Sequence, residues 1–573
     1  MSYAHFFLQP TNPTHRQYEA LRAYFVEEVS VKEVARRFGY TEGSFRVLAH
    51  QFRRSPEREF FVHPAKGPKK APKKDLVRMR VVELRKHNCS IYDIADVLNR
   101  DGERLSPVSI SKMLKEEGFA RLPRRRDEER PQRPRVEKAP TADVRDLDLS
   151  ARSFRTKFGG LFLFMPLLVE LSFDEVLRPL GLPGSGMIPA SLAIRSLLAL
   201  KLFGSARHSH AMSYVLDEGL ALFAGLNETP KRSFLTEYSS RIDPAVYPQW
   251  MRLWNAAVGH TGLPRGESFD LDYHTIPFHG EDAILQKHYV SKRSRRQKGV
   301  LAFLVQDDET RVLCYGNAQV RKENQPDEIL EFVNFWKALT GRLPQELVFD
   351  SRLTTYADLN RLNQEGVLFI TLRRRSQKML QEMASQPLSA WRRIELESLS
   401  RIYRTPRILD SNIELKDYEG PVRQIAIDDL GHEDCTFLLT NQLGRSAARL
   451  IERYARRMII ENSIEDSIDF FHLDALSSSV PMKVNCDLQL TLMASSLYRL
   501  IGRRIGNGYQ TAKSRTIFRD FIDATATIII AEKDITVRFQ KRAHNPLLLH
   551  AGFDKQSVAV PWLGGRNLTF VFG

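Results

Sequence analysis

Ser268-Phe269-Asp270-Leu271-Asp272-Tyr273-His274-Thr275-Ile276-Pro277 is the stretch on which the architecture turns. Apolar residues and acids alternate at its start. Residues 268–273 therefore read as a strand, with Asp270 and Asp272 on one face because side chains alternate along a strand. Downstream, residues 299–306 read as a second strand. Asp307-Asp308-Glu309-Thr310 turns it into residues 311–316, which makes a hairpin. An amphipathic helix is expected over 327–339 and a short apolar strand ending in an acid over 346–350. A helix over 356–365 and a strand over 367–372 follow.

Three strands followed by helix–strand–helix–strand is the order of a ribonuclease-H-like α/β sheet. That order brings the acids at the ends of neighbouring strands, Asp272 and Asp350, toward one crevice. Two carboxylates sharing a site repel and raise each other's pKa, and a divalent cation removes the penalty. Oxygen-only ligands select magnesium or manganese. Two such ions activate a water or a 3′-hydroxyl and stabilise the oxygen leaving a phosphodiester. A third acid is available in Tyr454-Ala455-Arg456-Arg457-Met458-Ile459-Ile460-Glu461. On a helix, Tyr454, Arg457 and Glu461 share one face, being three and four residues apart. Asp270 is the alternative to Asp272 on the strand.

Tyr-x-x-Arg-x-x-x-Glu resembles the signature of the insertion-sequence transposases of the DDE type, whose third acid lies in a Tyr-Arg-Glu-Lys motif. Asp272-Tyr273-His274-Thr275-Ile276-Pro277-Phe278-His279-Gly280 is similar to their first-acid stretch, which favours Asp272 over Asp270. Val348-Phe349-Asp350-Ser351-Arg352 is similar to the second. The resemblance covers residues 150–540. It implies a β-rich insertion, here 376–445, ahead of the glutamate. It also implies that Asp272, Asp350 and Glu461 are catalytic and bind two Mg²⁺ or Mn²⁺ ions, with Tyr454 and Arg457 on DNA phosphates. The expected activity is cleavage at the terminal inverted repeats of an element, often through a hairpin, and strand transfer into target DNA by a homodimer. Some members hold a flipped base against an aromatic in the insertion, a role Trp391 would fill. One position departs: Ile468 stands where the motif has its lysine, seven residues after Glu461. Arg373-Arg374-Arg375 and Lys292-Arg293-Ser294-Arg295-Arg296 are alternative phosphate contacts.

Composition agrees with a polyanion partner. The chain has 573 residues, a net charge of +16, 42% hydrophobic and 27% charged residues, which excludes wholesale disorder and collagen-like repeats. Residues 1–140 carry a net +11, two thirds of the excess, and the remaining 433 carry +5. The basic segment is patterned. Residues 17–54 read as three helices, with Ser30 and Glu33 as a capping box. Gly39 ends the second helix, and the third bears Arg46, His50, Arg53 and Arg54. Residues 75–119 repeat the plan. Leu76, Met79, Val82 and Leu84 are its first apolar stripe, Ser90 and Ser106-Pro107 open its later helices, and Lys112 and Lys115 lie on its polar face. Both are helix-turn-helix spacings suited to double-stranded DNA.

The expected organisation is helix-turn-helix modules at 1–62 and 75–120, with basic linkers at 63–74 and 121–150. A helical domain at 151–262 precedes a catalytic domain at 263–540 and a C-terminal extension at 541–573. Cys89, Cys314, Cys435 and Cys486 are too few and scattered for a disulfide framework or a Cys-x-x-Cys zinc site. The longest apolar run, 161–169, is half the length of a membrane span. No signal-peptide pattern opens the sequence, so a cytoplasmic, nucleoid-associated protein is expected. Two competing readings are a decayed or domesticated transposase acting as a DNA-binding regulator, and a nuclease that cuts without joining.

Overall fold

The computed structural model describes residues 7, 10–61, 72–120, 122, 147–261, 263, 265–277, 286–290, 295–321, 324–351, 354–397, 404–429, 434–474 and 481–573. Most of both basic linkers, Phe278-His279-Gly280 and Lys292-Arg293-Ser294 lie outside these residues. The chain is a mixed α/β structure and divides into two units, Met1–Val136 and Glu137–Gly573.

The first unit contains two three-helix groups, each with its own core. Helices α1 (Pro13–Phe25), α2 (Val31–Phe38) and α3 (Glu42–Arg54) bury Leu21, Val34, Phe38, Phe45 and Leu48 together. Gly39 ends α2 at φ +71°, a left-handed conformation that costs glycine nothing. Thr41 and Ser44 then cap α3 reciprocally. The Ser30 cap forms only in half. Its hydroxyl accepts from the Glu33 amide, but the Glu33 carboxylate turns outward to Arg36 Nε at 2.9 Å.

Helices α4 (Pro72–Lys86), α5 (Ile91–Arg100) and α6 (Pro107–Glu116) form the second group. Ser90 and Asp93 cap α5 reciprocally, and Ser106 caps α6 with Pro107 in its first turn. The stripe on α4 is rotated from the sequence expectation. Among its described side chains Val77 and Val81 are the buried apolar residues, whereas Met79 is 81% exposed. In α4 the stripe is short and flanked by basic residues, so several registers satisfy helical periodicity equally.

In the second unit, residues 152–156, expected to be helical, form strand β1 (Arg152–Thr156). Helices α7 (Ala190–Leu202) and α8 (Val246–Gly259) follow, and Trp250 and Trp254 of α8 are core residues, 0% and 2% exposed. The main sheet comprises β2 (Ser268–Pro277), β3 (Lys287–Val290), β4 (Arg295–Asp307), β5 (Leu313–Val320), β6 (Glu346–Phe349) and β7 (Leu368–Leu372), then β8 (Arg392–Arg393), β9 (Arg407–Ile413), β10 (Val422–Asp428) and β11 (Thr436–Thr440). Its order is β3-β4-β2-β6-β7-β11-β10-β9-β8, with β5 on β4. Strands β2, β6 and β7 are parallel; β4 runs antiparallel to β2, and β5 antiparallel to β4. The strands at 392–440 extend this same sheet beyond β7 by antiparallel pairing.

One face of the sheet packs Phe269, Leu271, Leu347 and Phe349 against α9 (Glu328–Thr340) and α10 (Tyr356–Gln364). On the other, Val348, Ile370 and Leu438 meet Ala447, Leu450 and Ile451 of α11 (Ala447–Arg456). Helix α12 (Met458–Asp469) continues across β2, and α13 (Pro481–Ile505) packs on β5.

A second, five-stranded sheet has the order β1-β12-β13-β15-β14, from β12 (Ala526–Ile530), β13 (Asp534–Phe539), β14 (Ser557–Val560) and β15 (Arg566–Phe572). It shares one core with the helices at 158–263, so the C-terminal residues are integral to that body. A Cβ at Gly160 would lie 2.1 Å from the Ile522 carbonyl oxygen, which is why a glycine stands where the two segments cross.

Candidate active site

Parallel pairing of β2 with β6 sets Leu271 beside Phe349, so Asp272 and Asp350 are the next residues on adjacent strands. Both strands are apolar on the core face, which fixes their register and hence the two acids. Asp272 Oδ1 accepts the Tyr273 amide at 2.9 Å. Asp350 Oδ1, just past the end of β6, accepts the Ser351 amide at 2.6 Å and its hydroxyl at 3.2 Å.

The third acid comes from above. The helix expected across Tyr454, Arg457 and Glu461 is two helices, α11 and α12, that abut at Arg457. The Arg457 amide bonds to the Tyr454 carbonyl at 3.1 Å and its carbonyl receives the Ile460 amide at 3.0 Å, so the chain tightens for one turn without leaving helical direction. Arg457 is 8% exposed. Its Nη1 lies 3.7 Å from Asp272 Oδ2 and its Nη2 3.6 Å from Glu461 Oε1, and its guanidinium sits 5.6 Å from the Tyr454 ring centre. One arginine thus joins the strand acid, the helix acid and the tyrosine. Glu461 is the open end of the set, with 52% of its side chain exposed, and it occupies the first turn of α12, where the helix dipole favours a carboxylate.

Burial pushes the Asp272 carboxyl up to about 6. Arg457 and the Tyr273 amide pull it down, while Glu461 and Asp350 push it further up. Burial also pushes Tyr454 up, to about 12, against the pull of Arg457. For Arg457 burial works against the charge, but Tyr454, Asp272, Asp350 and Glu461 together outweigh it, so the guanidinium stays charged.

The donor chemistry of Asp272, Asp350 and Glu461 is all carboxylate oxygen, which fits a hard divalent cation. Among the described residues no three His, Cys, Asp or Glu side chains are drawn together as a ready-made metal-holding group. Two of the three acids are instead spanned by Arg457, which supplies the positive charge between them.

Asp270, the alternative on the same strand face, is 0% exposed and bonds Arg453 Nη1 at 2.7 Å. It belongs to a sealed network that also holds Glu346, Ser268 and Asp308 around Arg453. Sequence reasoning missed this network. Arg453 is one of four arginines within nine residues (Arg449, Arg453, Arg456, Arg457), and only its helical phase, in register with buried Leu450, marks it.

Position 468 is explained by the same helix. Ile468 is 6% exposed and packs with Ile464, Val484 and Leu488 in the core. A side chain there sits two turns further along α12 than Glu461 and is packed in the core.

The remaining sequence-predicted residues are dispersed. Arg373 bonds Gln424 at 2.6 Å and Arg375 approaches Asp434 at 3.7 Å, while Arg374 is exposed. Trp391 is half-buried, beside exposed Arg392 and Arg393. Arg46 and His50 are exposed on α3, with Arg46 3.6 Å from Glu42. Arg53 lies over the Tyr24 and Phe25 rings, and Arg54 is exposed. Lys112 and Lys115 are exposed on α6. All four cysteines are free. Among the described residues no helix is long and apolar enough to cross a membrane. No protein-family model matches the chain, and no curated protein matches it in sequence.

Proposed function

We propose that this protein is a DNA transposase of the DDE insertion-sequence type. It would cut the ends of its element and join the 3′-hydroxyls to target DNA in a metal-dependent reaction on a ribonuclease-H-like sheet. The observation that carries the reading is the meeting of Asp272, Asp350 and the Tyr454–Arg457–Glu461 set on one face of the sheet. The strand order β5-β4-β2-β6-β7, with the last three parallel, supports the fold assignment. Asp272, Asp350 and Glu461 would hold the ions. When bound, these supply the charge that activates the attacking hydroxyl and stabilises the leaving oxygen. Arg457 and Tyr454 lie beside the acids, where a phosphate of the bound strand would be neutralised and packed. The two N-terminal helix groups would read the element ends as a homodimer bridges them.

The test is a supercoiled plasmid carrying the DNA that flanks the coding region on both sides, incubated with the full chain and MgCl₂. Nicking followed by joining is expected, with both lost in Asp350→Asn while binding of the same DNA persists. Joining by Asp350→Asn at the wild-type rate overturns the assignment.

A second reading, a DNA-binding regulator descended from such an enzyme, is favoured by one observation: Arg457 already spans two of the three acids. It is separated by cation binding. Titration of Mn²⁺ into the metal-free protein gives saturable binding for the enzyme and none for the regulator.

A further inference from the structure

Arg453 is 2% exposed, four residues before Arg457 on the same helical side. Its Nη1 bonds Asp270 Oδ1 at 2.7 Å, its Nε bonds Glu346 Oε1 at 2.9 Å, and its Nη2 bonds the Ser268 hydroxyl at 2.8 Å. Asp308, in the turn after β4, lies 3.5 Å from Arg453 Nε and 3.2 Å from Arg456 Nη2. The far oxygen of Glu346 takes Gln442 at 2.8 Å and Arg445 at 2.7 Å, both in the approach to α11. Burial pushes Glu346 up, but Arg453, Gln442, Ser268 and Arg445 outweigh it and hold the carboxyl below its ordinary range. One guanidinium therefore fastens α11 to β2, to β6 and to the β4 turn at once.

Packing alone does not call for this. A leucine at 453 would fill the interior, whereas a buried charge is tolerated only when its partners are geometrically well placed. What the arginine adds is register. Asp270 and Asp272 are two residues apart on a strand, about 6.6 Å. Arg453 and Arg457 are four residues apart on a helix, about 6.0 Å. The two steps match, so the couples Asp270–Arg453 and Asp272–Arg457 stack side by side. With the inner couple fixed in the core, the outer one has a single place to fall.

We propose that Arg453 is the positioning residue of the site: its fork on Asp270, Glu346 and Ser268 sets the sliding register of helix against strand that brings Tyr454, Arg457 and Glu461 to Asp272. This rests on the transposase reading. Arg453 touches no reacting atom and acts through Arg457.

Two variants test it in the full chain, on the flanking-DNA plasmid with saturating MgCl₂. Arg453→Lys keeps the charge and loses the fork. The combination Arg453→Met, Asp270→Asn and Glu346→Gln removes the three most buried charges together; Asp308 keeps Arg456 and Arg445 is partly exposed, so the fold is preserved. The nicking rate is expected to fall about 100-fold in the combination, the scale of a misplacement near 1 Å, and by less in Arg453→Lys. DNA affinity should stay near wild type in both variants, and melting temperature in the combination. Nicking at the wild-type rate in either folded variant, whatever its melting temperature, reduces Arg453 to a structural residue and overturns the proposal. A wild-type protein that neither nicks nor joins is the distinct outcome in which the transposase reading fails and takes this inference with it.

Discussion

Asp270 and Asp272 stand two residues apart on the same face of β2 in opposite circumstances. The first is fully buried on Arg453 at 2.7 Å, and the second keeps 23% of its side chain exposed, 3.7 Å from Arg457. The strand thus carries one acid sealed in the core and one open to solvent.

The two acids should separate cleanly on substitution. Asp270→Ala leaves Arg453 short of a partner in the core and should lower the unfolding free energy by about 3 kcal/mol. Asp272→Asn removes a carboxylate that burial, Glu461 and Asp350 all disfavour in its charged form. It should leave the metal-free protein at pH 7 as stable as wild type or more so, while abolishing nicking. Urea unfolding of both variants, with the plasmid assay, checks the pair. A stable Asp270→Ala protein would show that the inner couple is dispensable.

Stability should also vary with pH through Glu328. This residue, 6% exposed in α9, accepts both of its hydrogen bonds from Asn317 Nδ2, at 3.0 and 3.1 Å. Burial pushes its carboxyl up to about 7; Asn317 pulls it down, while Glu331 and Asp327 push it up. An unfolded glutamate titrates near about 4.3, so between these values the folded state binds the extra proton. The stabilisation is complete below the unfolded value and is lost as pH rises through about 7. Glu328→Gln cannot ionise. Relative to wild type it should gain on the order of 2 kcal/mol between pH 5 and pH 8, read from melting at a series of pH values. A difference that does not change with pH would contradict the assignment.

Much of the frame was legible because short strands with strict alternation leave few choices. The strands that carry Asp272 and Asp350 followed from apolar runs bounded by acids, although only the resemblance separated Asp272 from Asp270, and β9, β10 and β11 lie within residues 376–445. Strand β1 was not legible. Arg152-Ser153-Phe154-Arg155-Thr156 has only one apolar residue, and it becomes a strand because its partner, β12, begins 370 residues after Thr156. No local pattern encodes that pairing. The apolar runs at 524–530 and 535–539 do read as strands and form β12 and β13, but the core they share with residues 158–263 is not written in their local pattern. At the site, periodicity placed Tyr454, Arg457 and Glu461 together but could not distinguish Arg453 from its exposed neighbours, since burial of a charged side chain depends on carboxylates from β2, β6 and a distant turn.

DNA binding should be strongly electrostatic and divisible by residue. Arg46 and Arg54 on α3 and Lys112 and Lys115 on α6 are exposed, and none is tied into a buried pair. Each phosphate contact releases condensed counterions, so the logarithm of affinity falls linearly with the logarithm of salt, by about 0.9 per contact. Replacing Lys112 and Lys115 together by alanine should make that slope shallower by about 2 without lowering the melting temperature. Fluorescence anisotropy with a labelled duplex of flanking DNA at several salt concentrations measures it. An unchanged slope would remove the second helix group from the DNA interface.

Position 468 gives the sharpest test of how far the resemblance to the transposase motif extends. If a lysine there served phosphate binding, Ile468→Lys would restore it and raise DNA affinity or nicking. The structure argues otherwise: Ile468 is 6% exposed and belongs to the apolar cluster that also holds Ile464, Val484 and Leu488. Burying an unpaired charge is among the few mechanisms that give large destabilisation, so Ile468→Lys should cost more than about 3 kcal/mol and lower activity in proportion to the fraction unfolded. Ile468→Val, which only trims the side chain, should cost about 1 kcal/mol and leave the nicking rate of folded protein intact. Urea titration of both proteins, with rates corrected for the folded fraction, separates the outcomes. A stable and more active Ile468→Lys would mean that α12 presents this position to DNA when DNA is bound.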